Sequence, residues 1–302
     1  MVLVGIGELL WDLLPSGPHL GGAPANFACI AQLLGGRGVV ASRVGDDQLG
    51  RDARAELKDR GVDVSFIQTD TERPTGSASA ILASDGSAEF GIAQDVAWDY
   101  LEWTPELAKL AAEADAICFG TLAQRSPASR ETIRRVLACS RPECLRILDM
   151  NLRAPFYSLE ILEDSLRLAN VLKLNSEELA FVSRASKLPA MAETDAARMM
   201  QRLYGFKAVC ITRGARGSVI AFADETMVHP GVAVEVVDTV GAGDAFTAAL
   251  AVQLIAGSAP ERVSEAANQM GAWVASQAGA IPAQNNSGWE RVRALYGVPE
   301  RS

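Results

Sequence analysis

Histidine and basic residues are scarce in this sequence. Its two histidines, His19 and His229, do not stand at a metal-ligand spacing. That disfavours zinc centres and histidine-based catalytic triads, so we expect any general base to be a carboxylate. Lys and Arg number 28 against 37 Asp and Glu, which gives a net charge of -9. A chain without a basic face is not expected to bind nucleic acid or an anionic membrane.

Signals for membranes, secretion and disulfides are also missing. No apolar run reaches the length of a membrane span, and the N-terminus has no basic segment before Glu8 and Asp12. The five cysteines are scattered without a Cys-x-x-Cys pair, which favours reduced thiols. We therefore expect a cytoplasmic protein. Its 302 residues allow one large α/β domain with an appendage, or two domains.

Two common phosphate-binding motifs are absent. Gly5-x-Gly7 lacks the third glycine and the following helix of a dinucleotide fingerprint, and no Gly-x-x-x-x-Gly-Lys-Ser/Thr string occurs. The chain has instead Asp238-Thr-Val-Gly-Ala-Gly-Asp244. This string lies between an apolar run predicted as a strand, 232–237, and a helix predicted over 244–256.

Glycines at a strand-to-helix turn let backbone N–H groups face a ligand at the positive end of the helix dipole, which is a natural phosphate site. The carboxylate of Asp244 would repel a phosphate there. A base that contacts a hydroxyl beside the phosphate would explain why a carboxylate stands at this position. The alternative is that Asp244 only caps the helix or pairs with its dipole. Spacing alone leaves both interpretations open.

The complete string from Asp238 to Asp244 resembles the signature of the ribokinase-like, or PfkB, family of sugar kinases. The resemblance implies that Asp244 is the catalytic base and that the backbone of Gly241, Ala242 and Gly243 forms the anion hole for the transferred phosphate. One difference from the family pattern is Val240, which stands where threonine is common.

A second match lies near the N-terminus. Asp12 alone predicts a turn residue, and Asn26 alone predicts a helix cap after the pair Gly21-Gly22. The arrangement resembles the Gly-Gly-x-x-x-Asn signature of the family, which with the early aspartate holds sugar hydroxyls. The resemblance therefore implies that Asp12, Gly22 and Asn26 bind the sugar.

Residues 75–92 alternate with period two, with Asp85-Gly86 as a hairpin turn. This predicts a small separate sheet, and an antiparallel edge of the main sheet is the alternative. In the family such a sheet is a lid on a single kinase domain. Here the domain would span residues 1–302, and the lid about 9–20 and 74–98. It is often also a dimer contact, so a homodimer through the lid is a further expectation. Trp98 resembles a residue near the sugar in fructokinases, or else is a core aromatic.

From residue 105 onward, predicted strands and helices alternate. This predicts an α/β fold with a mostly parallel central sheet, helices on both faces, and ligands at the carboxyl ends of the strands. Asp149-Met-Asn-Leu-Arg153 follows one such strand, where loop capping and a surface salt bridge are the alternative to ligand binding. Asn175 and Glu178 follow the next strand and match a capping box.

The resemblance assigns these groups further roles. It implies that Arg153 reaches toward the sugar or the phosphate, and that the Asn175-x-x-Glu178 motif organises magnesium and its waters. It implies that residues after the later strands and on a C-terminal helix bind the nucleotide, namely Thr212, Gly214, Gly217 and Asn268. A hairpin alone would also explain the two glycines. A potassium ion is a further expectation, between the Asp238 region and carbonyls of 274–283, although Ala283 stands where several members have serine.

The sequence thus predicts a ribokinase-like fold and ATP-dependent phosphorylation of a sugar hydroxyl, with Mg²⁺ as cofactor. Gly21–Asn26, 97–99 and 120–125 look most like fructokinases, so D-fructose is the leading substrate. The alternatives are 2-keto-3-deoxygluconate, ribose or a nucleoside as acceptor. A non-catalytic sugar or nucleotide sensor on the same fold is a candidate of another class.

Overall fold

The computed structural model describes residues 1–15, 17–82, 88–185, 191–282 and 288–296. The strands, in chain order, are β1 (Val2–Ile6), β2 (Leu10–Leu14), β3 (Gly17–Gly21), β4 (Arg37–Gly45), β5 (Ile67–Asp70), β6 (Gly76–Leu82), β7 (Ala88–Ile92), β8 (Ala116–Phe119), β9 (Leu145–Asp149), β10 (Val171–Asn175), β11 (Ala208–Thr212), β12 (Ser218–Ala221) and β13 (Thr226–His229). The helices are α1 (Ala23–Leu33), α2 (Gln48–Asp59), α3 (Pro105–Glu113), α4 (Pro127–Ala138), α5 (Leu159–Leu168), α6 (Ser176–Ala185), α7 (Glu193–Tyr204), α8 (Ala242–Ile255), α9 (Pro260–Ala275) and α10 (Trp289–Tyr296).

The larger sheet has nine strands in the order β13-β12-β11-β10-β9-β8-β1-β4-β5. From β11 through β5 the neighbours pair in parallel, and β12 and β13 are antiparallel additions at one edge. The prediction of a mostly parallel α/β sheet is confirmed. Parallel strands bring their carboxyl ends to one edge of the sheet, so the residues that follow them lie close together.

Helices cover both faces of this sheet. Successive strand residues alternate between two hydrophobic clusters, as strand geometry requires. In β1, for example, Leu3 packs with α1, α8 and α9, whereas Val4 packs with helices from α3 to α7. Helix α8 is buried on nearly all sides because it lies between the sheet, α1 and α9. Among the described helices, none is long and apolar enough to cross a membrane.

The second sheet has four strands in the order β3-β2-β6-β7. Strand β2 pairs with β6 in parallel, and the other two pairs are antiparallel. The period-two segment therefore belongs to a separate small sheet, as predicted, and not to an edge of the main one. The predicted turn at Asp85-Gly86 lies outside the described residues.

The prediction of a strand at 232–237 is wrong. These residues form an extended loop without ladder partners in the described structure, and Val236 and Val237 are 56% and 61% exposed. The physical reason is that β13 already pairs with β12 and occupies that edge of the sheet. The loop instead follows α9, where the N–H groups of Val237 and Asp238 both donate to Ala275 O (2.9 and 3.2 Å).

Candidate active site

A cavity of about 1730 Å³ lies at the carboxyl edge of the large sheet. The ends of β9, β10 and β11 and the N-termini of α1 and α8 form its floor, and β2, β3, β6 and β7 contribute its opposite wall. Sites for one small molecule typically measure roughly 300–1,000 Å³. The cavity therefore has room for two ligands side by side.

Helix α8 points its N-terminus into this cavity. Its N-cap is Gly241, at φ 75°, and no described side chain caps the helix. Ala242 N–H donates to Thr239 O at 3.3 Å, whereas the N–H groups of Gly241 and Gly243 have no backbone partner among the described residues and are open to an anion. A Cβ on Gly241 would come within 2.5 Å of Ala280 Cβ, and a Cβ on Gly243 would come within 2.8 Å of Lys173 Nζ. Position 241 therefore needs glycine, whereas a side chain at position 243 would displace the Lys173 ammonium group.

Asp244 lies in the first turn of the same helix and lines the cavity. Burial, and then the charge of Asp149, raise the pKa of its carboxyl group to about 7. Asn26 Nδ2 donates a hydrogen bond to Asp244 Oδ2 at 2.7 Å, which favours the ionised form in part. The structure thus joins two predicted site residues that are 218 positions apart in sequence.

A buried ion pair supports the floor beneath Gly243. Lys173 Nζ lies 2.9 Å from Asp149 Oδ1, and the Thr247 hydroxyl donates to Asp149 Oδ2 at 2.8 Å. Burial alone would lower the pKa of Lys173, but Asp149 and Glu178 more than offset it, so the pKa is raised. The ammonium group therefore stays charged, next to the N-terminus of α8.

The predicted sugar residues Asp12, Gly22, Asn26 and Arg153 all line the cavity. Asp12 lies on β2 in the small sheet, where burial raises the pKa of its carboxyl group. Gly22 is the N-cap of α1 at φ 112°, and a Cβ there would come within 2.5 Å of Glu8 O. The tight turn between β3 and α1 explains this glycine without a ligand.

Trp98, which was predicted to lie near the sugar, is not among the described residues that line the cavity. Its side chain is 0% exposed and belongs to the core cluster on the α3–α7 face of the sheet. The guanidinium of Arg125 lies 4.0 Å from the Trp98 ring centroid and pairs with Asp99 at 2.8 Å. Trp98 is a core aromatic, which was the alternative.

The residues predicted to bind cofactors also line the cavity: Asn175 for magnesium, and Thr212, Gly214, Gly217 and Asn268 for the nucleotide. Gly217 is at φ 78°, and a Cβ there would come within 2.2 Å of His229 O, so the hairpin by itself requires glycine. Asn268 Nδ2 donates to Ser218 Oγ at 2.8 Å and joins α9 to β12.

The two predicted metal residues make structural contacts. Glu178 accepts hydrogen bonds from the N–H groups of Leu152 (2.9 Å) and Asn175 (2.8 Å), and its own N–H donates to Asn175 Oδ1. The capping box is therefore present, and Glu178 lies behind Asn175. Asp238 lines the cavity and accepts from the N–H groups of Val240 and Gly279, which ties the 232–241 loop to the segment after α9.

The sequence assigned no role to two charged residues of the site, Glu8 and Lys173, whereas Asp149 was part of the candidate ligand cluster Asp149–Arg153. Glu8, Asp149 and Lys173 are buried at the carboxyl edge, and Glu8 and Lys173 line the cavity. The sequence carried a signal for each of them. Glu8 and Asp149 come at or just after the end of an apolar strand, and a lysine within Val171–Asn175 is unusual for a strand buried on both faces.

Known proteins resemble this chain in sequence. The model of the pfkB family carbohydrate kinases matches residues 18–286. A fructokinase of Klebsiella pneumoniae is 30% identical over 269 residues, covering 86% of each chain.

Two solved structures share the fold. The aminoimidazole riboside kinase of Salmonella enterica, complexed with aminoimidazole riboside and an ATP analogue, is 26% identical with a TM-score of 0.78, covering 98% of this chain and 99% of that one. A double mutant of the Vibrio cholerae O395 fructokinase, with fructose, ADP and potassium bound, is 25% identical with a TM-score of 0.78, covering 98% and 97%.

These matches bear on both the fold and the activity. The architecture is ribokinase-like, with a mostly parallel central sheet and a second small sheet, as the sequence predicted. The family match covers most of the chain, including the string from Asp238 to Asp244. The chain therefore belongs to the pfkB family of carbohydrate kinases, phosphotransferases that use ATP and an alcohol group as acceptor.

Proposed function

We propose that this protein transfers the γ-phosphate of ATP to a hydroxyl group of D-fructose, giving fructose 6-phosphate. The observation that carries the proposal is a carboxyl group, Asp244, within the open N-terminus of α8. A carboxylate weakens an anion site, so its presence needs a reason. Proton removal from an acceptor hydroxyl next to the phosphate supplies that reason.

Asp244 acts as the general base. The hydroxyl oxygen attacks the γ-phosphorus in line, its proton passes to the Asp244 carboxylate, and the bond between the γ-phosphorus and the bridging oxygen breaks to release ADP. A pKa of about 7 suits this role, because the carboxyl group is then ionised in a large fraction of molecules at neutral pH and still accepts a proton.

Charge on the transferred group is stabilised by the start of α8. The backbone N–H groups of Gly241, Ala242 and Gly243 form the anion hole, and the helix dipole acts in the same direction. The ammonium group of Lys173 adds a full positive charge beside Gly243. Its pairing with Asp149 keeps it in place while no phosphate is bound.

The rest of the cavity accommodates the ligands. Asp12, Asn26 and Arg153 hold the sugar, and Thr212, Gly214, Gly217 and Asn268 border ATP. Mg²⁺ bound to the phosphates neutralises part of their charge. Each Glu178 oxygen already accepts one backbone hydrogen bond and retains a second lone pair for a metal-bound water. A potassium ion beside Asp238, closure of the small sheet as a lid and a homodimer through that sheet stay predictions.

Fructose is favoured by the fructokinases among the relatives. A nucleoside acceptor is the second candidate, because the Salmonella enterica relative was solved with aminoimidazole riboside bound. The test is ADP release with Mg-ATP and, one at a time, fructose, ribose, 2-keto-3-deoxygluconate, glucose and adenosine. Turnover on fructose alone supports the proposal. Turnover on another acceptor would show that fructose is not the substrate but would leave the proposed mechanism in place. ATP binding without turnover on any acceptor would favour the sensor.

Asp244→Asn tests the base directly. We expect kcat to fall by about 10²- to 10⁴-fold, the usual contribution of a general base, while calorimetry shows that sugar still binds. Asp115→Asn is the matched control. Asp115 directly precedes β8, at the amino ends of the strands and away from the cavity, and it accepts a hydrogen bond from Val2 N. Near-normal turnover by Asp244→Asn would rule out the mechanism.

A further inference from the structure

Glu8 is a buried acid that the mechanism above does not use. It comes just after β1, it is 3% exposed, and it lines the cavity beside the start of α1. Its Oε2 atom is buried and has no hydrogen-bond partner among the described residues. Asn26 Oδ1, in the first turns of α1, is also buried without a hydrogen-bond partner among the described residues, because the bond from Asn26 Nδ2 to Asp244 fixes the orientation of the amide.

Backbone contacts explain only part of this carboxyl group, because N–H groups at Glu8 and Ala23 interact with it while Oε2 has no partner among the described residues. Asp99 and Asp149, which are equally buried, pair with Arg125 and Lys173. A buried oxygen without a partner lowers the stability of the fold, and such atoms are retained where they serve a ligand. Two unpartnered oxygens at the start of α1 fit a ligand that brings hydrogen-bond donors, such as the hydroxyl groups of a sugar.

The charges around Glu8 further narrow the class of ligand that this part of the cavity can bind. Burial raises the pKa of Glu8 to about 7, with Asp244 raising it further, Arg153 lowering it, and N–H groups of the backbone at Glu8 and Ala23 lowering it. Asp12 also lines this part of the cavity, next to His19 on β3. Three carboxyl groups therefore share the guanidinium group of Arg153, and Asp244 also has Lys173 nearby, whose charge Asp149 offsets in part.

We propose that Glu8 determines acceptor specificity: it accepts a hydrogen bond from a hydroxyl other than the phosphorylated one, and it excludes acceptors that carry a carboxylate or a phosphate. The inference rests on the proposed function and names its substrate class, a neutral polyhydroxy compound. An anion in this part of the cavity would face Glu8, Asp12 and Asp244 at low dielectric, where repulsion between like charges is strong.

The experiment compares fructose, which is neutral, with 2-keto-3-deoxygluconate, which carries a carboxylate, in the wild type and in Glu8→Gln. We expect kcat/KM for fructose to fall by about 10- to 100-fold, as for a lost hydrogen bond to a charged group. The value for the anionic acceptor should stay level or rise, so the ratio of the two shifts at least tenfold, and KM for ATP stays constant. Glu160→Gln, exposed on α5, is the matched control.

Each outcome decides the question. A parallel loss on both acceptors, or an unchanged ratio, would overturn the proposal while leaving the kinase function in place. If the wild type turns over no acceptor at all, the proposed function fails and this inference fails with it.

A second measurement needs no variant. In the wild type the preference for fructose over the anionic acceptor should grow as pH rises through about 7, where Glu8 ionises. The requirement for a deprotonated Asp244 affects both acceptors and cancels in the ratio. A ratio that does not depend on pH between 6 and 8 would overturn the proposal even if Glu8→Gln fails to fold.

Discussion

At the scale of single residues, the bond between Asn26 and Asp244 is the most informative contact. The Asn26 amide donates to the carboxylate at 2.7 Å and so stabilises the ionised base. It thereby opposes burial and the charge of Asp149, which both raise the pKa of Asp244. Without this bond the base would be protonated in a larger fraction of molecules at neutral pH. We therefore predict that Asn26 positions the base as well as binding the sugar.

Asn26→Ala should therefore move the pH profile of kcat. Because only the ionised Asp244 accepts a proton, kcat falls as pH drops through about 7. Removal of the Asn26 N–H raises the pKa further, so this acid limb should shift to higher pH. The control is Asn268→Ala, which lies on α9 and bonds to Ser218, and which should leave the limb unchanged. A limb that stays in place or moves to lower pH would contradict the assigned role.

At the scale of elements, α8 is terminated by glycine at both ends for different reasons. Gly241 and Gly257 both have a positive φ, 75° and 65°. A Cβ on Gly257 would meet nothing within 4 Å, whereas a Cβ on Gly241 would meet Ala280. The first glycine is required by the close approach of another segment as well as by its own backbone conformation.

The two substitutions to alanine make a matched pair. Each costs about 1–2 kcal/mol for the left-handed conformation, so both should lower Tm by a few degrees. Only Gly241→Ala should also displace the N-terminal turn of α8, and its kcat should fall by about 10²- to 10³-fold, as when an anion-hole donor is lost. Equal kcat values for the two variants would mean that the start of α8 does not stabilise the transferred group.

At the scale of the whole molecule, the cavity lies between two sheets that differ in burial, and we expect the less buried one to be the less stable. The large sheet has a core on both faces, whereas the small sheet leaves Leu13 and Leu14 about 40% exposed (40% and 42%). A ligand that contacts both sheets adds most to the weaker one. Sugar and nucleotide together should therefore act mainly on β2, β3, β6 and β7.

Amide hydrogen exchange tests this expectation. With fructose and ADP both present, exchange in β2 and β3 should be slower than with either ligand alone, whereas β8 and β9 in the centre of the large sheet should change little. Uniform protection across both sheets would indicate global stabilisation without closure of the small sheet.

The large sheet could be predicted because its strands are continuous apolar runs separated by amphipathic helices. The 232–237 run has the same composition but is exposed, because the sheet edge is occupied by β13, and local sequence does not show which strands pair. The sequence left two interpretations of Trp98 open for a similar reason, since an aromatic residue packs equally well in a core or a cavity.

The sequence motifs predicted most of the site residues but not the hydrogen bonds between them. The bonds from Asn26 to Asp244 and from Thr247 to Asp149 join residues 218 and 98 positions apart, and only the fold determines them. Glu8 lies outside the motifs that were matched, and its burial follows from the tight turn at Gly22 above it.

That turn has a mechanical consequence. The chain enters the small sheet directly after Glu8 and Leu9 and leaves it at Gly22, whose missing side chain lets the two crossings touch. If the small sheet closes as predicted, part of its rotation would be taken up as torsion at these two crossings, and we expect Gly22 to act as a hinge next to Glu8. A sugar that draws the sheet inward would then turn the backbone that carries Glu8. Recognition of the acceptor and closure of the small sheet would be coupled at one point of the chain.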